Sequence, residues 1–201
     1  MRTLLSVVLL PLVLLAISSH ADEAAYQLCA SCHGANAEGG ATAGSPGLNQ
    51  LSAWYIERQL NNYRNGIRGD EDALAKTMKP MAASLVDDAA VTAMANYIAA
   101  LPKTPVIAKY QGNIKNGENY FNQKCGACHG TAAVGNQALN APNLVGLGGE
   151  YIYRQIDNFK LKKRGMHPND KFGKPMVFMA ATLPNEEAVV DVVSYIESLG
   201  Q

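Results

Sequence analysis

The chain has 201 residues, with 17 basic and 17 acidic side chains and a formal charge of zero. That balance gives no support to a general polyanion-binding role, so no nucleic-acid partner is expected. Aromatic residues make up only 7% of the chain while glycine occurs 18 times, so large side chains alone are a thin source of core.

Residues 1–21 read as a secretory signal peptide. Arg2 supplies a positive start, residues 4–16 are apolar apart from Ser6 and Pro11, and Ser19-His20-Ala21 offers small residues where a signal peptidase reads. About 13 apolar residues fall short of the roughly 20 that span a bilayer. Cleavage is expected after Ala21, leaving a soluble mature chain of 180 residues with no membrane span.

The first helix is expected over residues 22–32 and carries Cys29-Ala30-Ser31-Cys32-His33 at its end. A loop with Pro46 and Leu48 follows, then a second helix over 52–65 with Ile56, Leu60 and Tyr63 at helical spacing. Met78 and Met81 precede a third helix over 87–101. Pro102, Pro105 and Gly112 interrupt helical periodicity and mark 102–113 as a linker. The pattern then repeats. At an offset of 96, Cys29, Cys32, His33 and Gly34 fall on Cys125, Cys128, His129 and Gly130, and Pro46 and Leu48 on Pro142 and Leu144. Tyr55-Ile56, Arg58-Gln59, Asn62 and Arg68 fall on Tyr151-Ile152, Arg154-Gln155, Asn158 and Arg164. Further on the offset becomes 98, which sets Met78, Met81, Leu85 and Tyr97-Ile98 on Met176, Met179, Leu183 and Tyr195-Ile196. The second set of helices is expected over 116–128, 150–162 and 185–199, with acidic residues opening the last helix of each half, as suits the helix dipole. No stretch alternates with period two long enough for a strand. The expected fold is all-α, in two similar domains, 22–101 and 114–201.

Four cysteines in a secreted chain would ordinarily suggest disulfides, but Cys-x-x-Cys-His twice suggests something else. One helical turn presents both thiols to the vinyl groups of a haem, and the next residue lies under the iron as proximal ligand. A redox dithiol would need a βαβ setting that is absent, and a four-cysteine zinc site would leave His33 and His129 unexplained. Cys29, Cys32, Cys125 and Cys128 are therefore expected to hold two covalent haem c groups, with His33 and His129 on the irons. Such an apolar cofactor would also supply the missing core. A thioether as sixth ligand raises the potential and closes the iron to oxygen chemistry. Each half offers a Met-x-x-Met pair, Met78 and Met81, then Met176 and Met179; spacing alone does not choose within a pair. Met94 and Met166 have no partner in the repeat and read as packing residues, and His167 as an exposed loop residue. The second nitrogen of each proximal histidine needs an acceptor; a backbone carbonyl at Pro46 or Pro142, 13 residues on, is a candidate.

With these residues the chain resembles the class I cytochromes c, and in tandem form the dihaem cytochrome c4 family. The shared features are Cys-x-x-Cys-His-Gly, Pro-x-Leu, Tyr-Ile-x-Arg-Gln, Met-x-x-Met-Ala-Ala-x-Leu and a closing Tyr-Ile helix, each present twice. The resemblance implies two haem domains packed about a pseudo-twofold axis, moving electrons in the periplasm toward a terminal oxidase, without a catalytic reaction of its own. It also implies Met78 and Met176 as the iron ligands rather than Met81 and Met179. Expected partners are redox proteins, a terminal oxidase or a quinol-oxidising complex. An alternative is the cytochrome subunit of a flavoprotein dehydrogenase of the sulfide type; a dihaem enzyme would need an open, His- or Cys-filled axial site. One departure stands out. Gly117 and Phe121 match the family's contact between first and last helices, but Ala25 stands where Phe121 does. Whether Tyr26 substitutes against Tyr97 is left open, and the N-terminal domain is expected to be the less stable.

The halves differ in charge: residues 22–101 hold five basic against nine acidic residues, and 102–201 hold eleven against eight. Lys160, Lys162, Lys163, Arg164, Lys171 and Lys174 crowd the stretch before Met176, a candidate patch for steering an acidic partner.

Overall fold

The computed structural model describes residues 13–40, 44–105 and 107–201, with side chains from residue 22 onward. Residues 1–12, most of the expected signal peptide, lie outside the described residues. Among those described there is no strand, only an isolated bridge between Asn136 and Ala141.

Helix α1 (Val13–His33) is followed by α2 (Ala53–Arg64), the short α3 (Ala73–Lys76) and α4 (Met78–Ala83), and α5 (Asp88–Ala100). The second half repeats this as α6 (Ile114–Lys124), α7 (Gly126–His129), α8 (Gly149–Lys160), α9 (Lys174–Ala181) and α10 (Glu186–Ser198), with a 3₁₀ turn at Gln137–Leu139. The helix expected over 116–128 is broken at Cys125 into α6 and α7, whereas α1 runs unbroken to His33. The methionine segments, which the periodicity did not mark as helical, form α4 and α9. Each closing helix has its N-cap: Asp87 accepts from the Ala90 amide and Asn185 from the Ala188 amide, with Asp88, Glu186 and Glu187 in the first turns.

In each half the first and last helices cross, α1 on α5 and α6 on α10, and the middle helix packs on the last. The α6–α10 crossing is close because Gly117 has no side chain: a Cβ there would run into the backbone carbonyl of Asp191. Phe121, fully buried, meets Tyr195 with ring centroids 5.5 Å apart. The first half reaches the same end by another residue. Tyr26, 1% exposed, meets Tyr97 at 5.5 Å and donates from its hydroxyl to the Gly34 carbonyl at 2.7 Å. Tyr26 thus takes the place that Ala25 leaves empty.

The two domains touch through α2, α8 and the loops that follow them, in a reciprocal pattern. Arg68 donates to Gln59 of its own half (2.7 Å) and to Tyr151 (3.2 Å) and Gln155 (3.0 Å) of the other. Arg164 donates to Gln155 (2.7 Å) and across to Tyr55 (3.1 Å) and Gln59 (3.1 Å). Arg58 reaches the Asn140 carbonyl (3.0 Å), and its counterpart Arg154 the Gly44 carbonyl (2.6 Å). Residue i contacting j while j's counterpart contacts i's is the signature of a twofold interface, here within one chain. The segment between the halves is bound at both ends. Asn49 and Gln50 donate to the carbonyls of Pro102 and Thr104, and Glu197 accepts from the amides of Lys109 and Tyr110.

Candidate functional site

In the first half, the last turn of α1 sets Cys29, Cys32 and His33 on the wall of a cavity of about 330 Å³. Gly34 and Gly130, at φ 84° and 76°, let the chain turn away directly after each histidine. The loops beyond are the same in both halves: the Leu48 amide donates to the Ala37 carbonyl (2.7 Å), and the Leu144 amide to the Ala133 carbonyl (2.9 Å). This places the Pro46 carbonyl 3.1 Å from His33 Nδ1 and the Pro142 carbonyl 2.9 Å from His129 Nδ1, where the repeat suggested. With Nδ1–H given to the carbonyl, Nε2 is the nitrogen with a lone pair to offer. Burial holds both imidazoles below their ordinary pKa, the carbonyls opposing it in part, which favours the neutral, metal-binding form. None of the four cysteines is in a disulfide, and Cys32 and Cys128 are exposed; burial raises the thiol pKa of Cys29 and pushes that of Cys125 up to about 11.

Met78 and Met81 both line the cavity. Met78 packs on Tyr63, Ala75 and Ala82, and Met176 on Phe159, Val177 and Ala180, so the repeat extends to the seats of the first methionines. Met94 is buried in the core, as expected. Met166 is not a packing residue: it is 55% exposed, on a loop. His167 is exposed, its Nδ1 accepting from the Asn169 amide.

The polar end of the cavity was not legible beforehand. Arg68 lies there, joined by Tyr151, Arg154 and Gln155 of the second half, so the other domain closes the site. Arg68 is buried and has no ion pair among the described residues, and the Nε atoms of Arg68, Arg154 and Arg164 are buried without a hydrogen-bond partner. Burial works against ionising Tyr151, yet Arg68 and Arg164 outweigh it and hold the phenol below its ordinary pKa. A positive, unneutralised end on an apolar cavity suits a flat apolar group that carries carboxylates, as haem does. The signal was present in the repeat, where Arg58, Gln59 and Arg68 recur as Arg154, Gln155 and Arg164.

The sequence pattern described as cytochrome c matches residues 23–102 and again 114–200. The chain belongs to the cytochrome c family. It carries two covalently bound haem c groups, to which the cysteine pairs 29/32 and 125/128 fit, and as a tandem dihaem cytochrome it is of the cytochrome c4 type. It is 31% identical over 188 residues to a thiosulfate dehydrogenase electron acceptor of Stutzerimonas stutzeri, covering 88% of this chain and 81% of that protein. The cbb3-type cytochrome c oxidase subunit FixPc of Rhizobium leguminosarum is 34% identical over 140 residues, 64% of this chain; this cytochrome spans under half of it, 46%. Among solved structures, Acidithiobacillus ferrooxidans cytochrome c4 superposes with a TM-score of 0.68 at 26% identity, covering 86% of this chain and 99% of that one.

Proposed function

We propose that this cytochrome is a periplasmic electron carrier, with no substrate of its own, whose irons are held by His33 and Met78 in one domain, residues 22–101, and by His129 and Met176 in the other, residues 114–201. What carries the reading is the matched pair of histidines, each with Nδ1 on a proline carbonyl and each in a half whose first methionine sits on an equivalent apolar cluster. Each haem supplies one-electron ferric–ferrous chemistry when bound. The protein's part would be to orient the imidazoles, to offer the Met78 and Met176 thioethers to the irons, and to shield them from water with the Tyr63 and Phe159 clusters on which those methionines pack. The cationic residues Arg68 and Arg164 favour bound carboxylates where the domains meet. Among the described residues no helix is long and apolar enough to cross a membrane.

The expected direction is toward a terminal oxidase. The likeness to a thiosulfate dehydrogenase electron acceptor over 88% of the chain favours, as donor, an enzyme that oxidises reduced sulfur compounds. Methionine ligation is tested by replacing Met78 or Met176 with Ala. Each variant should lose the methionine–iron charge-transfer band of one haem and lower that haem's potential, while Met81→Ala and Met179→Ala should keep both bands. A ligand phenotype at Met81 or Met179 overturns the assignment for that domain. Purifying the native protein shows whether it comes alone or with a dehydrogenase.

A further inference from the structure

The repeat changes its offset at one surface loop, and that loop makes the two halves chemically unlike. Gly69 and Gly165 still match at 96 and sit alike: a Cβ on either would press on a carbonyl, of Ala75 at 3.1 Å or Gly173 at 2.6 Å. Asp72 and Asp170 already match at 98. The two added residues therefore lie between. Asp70-Glu71 of the first half becomes Met166-His167-Pro168-Asn169, Ala73-Leu74 becomes Lys171-Phe172, and Gly66-Ile67 becomes Lys162-Lys163.

The exchange leaves apolar surface exposed. Leu161 (55%), Met166 (55%) and Phe178 (66%) have no exposed apolar counterpart in the first half, where Asn65 and Pro80 match Leu161 and Phe178; Phe172 (47%), matched by Leu74 (46%), lies under the Arg58 guanidinium, 4.7 Å from its ring centroid. Lys174 and Phe178, four apart, share one face of α9. The loop is fixed against that helix by Gly165 on Val177 and by Asp170, which accepts from the Gly173 and Lys174 amides. Lys162, Lys163, Lys171 and Lys174 are exposed around these apolar groups. Two of the six basic residues expected in this patch do not belong to it: Arg164 is committed to the domain interface, and Lys160 donates to the Leu183 carbonyl. Two carboxylates beside the face are engaged elsewhere. Asp170 is buried in its turn, and Asp70, across the interface near His167, pairs with Lys79.

The charge contrast is larger at the surface than in the sequence. Setting aside the interface arginines Arg58, Arg68, Arg154 and Arg164 and the buried Asp170, Asp191 and Glu197, residues 22–101 keep three basic against nine acidic groups. Residues 102–201 keep nine lysines against five carboxylates.

We propose that the face formed by residues 161–173 and α9 is a docking surface for an acidic redox protein that exchanges electrons with the C-terminal haem. The inference rests on Met176 being that haem's ligand, because α9 then carries both the ligand and the docking face. Exposed apolar groups supply the contact and the lysines around them steer the approach.

The test uses the holoprotein and the hydroquinone of an acidic flavodoxin, followed by stopped flow. One electron leaves the anionic hydroquinone, which becomes the neutral semiquinone with no proton released, and one ferric haem becomes ferrous. The wild-type rate should fall as salt rises. Changing Lys162→Glu, Lys163→Glu and Lys171→Glu together should slow the reaction about tenfold or more at low salt and abolish that dependence. Met166→Ala with Phe178→Ala should slow it severalfold with the salt dependence kept. Lys109→Glu with Lys115→Glu, away from the face, should change it less than about twofold. Equal slowing by that control, or none by the lysine triple, overturns the proposal. The methionine–iron bands of each variant are recorded in parallel: a wild type lacking the C-terminal band refutes the ligand assignment, whereas intact bands with an unchanged rate refute the docking face alone.

Discussion

Replacing Tyr26 with Phe isolates one hydroxyl in a buried ring. The ring remains against Tyr97, 5.5 Å between centroids, and only the bond to the Gly34 carbonyl is lost. That carbonyl also accepts from the Ala37 amide at 3.1 Å, so it is not orphaned, and the cost should be that of a net hydrogen bond, about 1 kcal/mol. For a domain of this size that shifts Tm by about 4–8 °C. Removing the ring as well, Tyr26→Ala, should cost about 3–5 kcal/mol, since the side chain is 1% exposed. That is a large share of the stability of an ordinary small domain. Scanning calorimetry of the holoprotein, with haem absorbance assigning each transition to a domain, reads both effects. The N-terminal transition should move by the stated amounts and the C-terminal one by much less. Equal shifts in both transitions, or an alanine variant no worse than the phenylalanine one, would refute the claim that Tyr26 replaces the missing aromatic.

Two further outcomes follow from the close contacts. Gly117→Ala should destabilise the C-terminal domain by about 1–3 kcal/mol, because α6 and α10 must part to admit a methyl group against the Asp191 carbonyl; chemical denaturation measures it. Glu197→Gln should loosen the chain at 109–110, since its carboxylate accepts from the Lys109, Tyr110 and Gly149 amides and an amide offers only one acceptor oxygen; hydrogen exchange at Lys109 and Tyr110 should rise while exchange at Phe121 stays unchanged.

The parts legible in the sequence were those with a local signature. Cys-x-x-Cys-His names its own chemistry, helical spacing found α2, α5, α8 and α10 to within two residues, and the 13-residue step from His33 to Pro46 anticipated the carbonyl on Nδ1. What was missed depends on the other domain or on three-dimensional crossing. Arg164 read as part of a surface patch and Arg68 only as its match in the repeat, because nothing in their own loops shows that Tyr55 and Tyr151 await them across an interface. Tyr26 lies one residue from the position where the family's aromatic stands, and only the crossing of α1 and α5 shows that it reaches the same space. The break at Cys125 likewise has no counterpart in α1, although each falls on the same motif.

The way the inter-domain segment is pinned sets how far this molecule can come apart. Thr104 is tied to the first domain and Lys109 to the second, so five Cα steps, at most roughly 19 Å of chain, separate the anchors. Within that leash a parted pair of domains stays at a high local concentration of each other, on the order of millimolar. An interface built of arginines, amides and phenols, weak by the measure of separate proteins, can then remain closed nearly all the time. A partner that wedges it open displaces an intramolecular contact that reforms when the partner leaves, and neither haem domain is lost by diffusion in the interval.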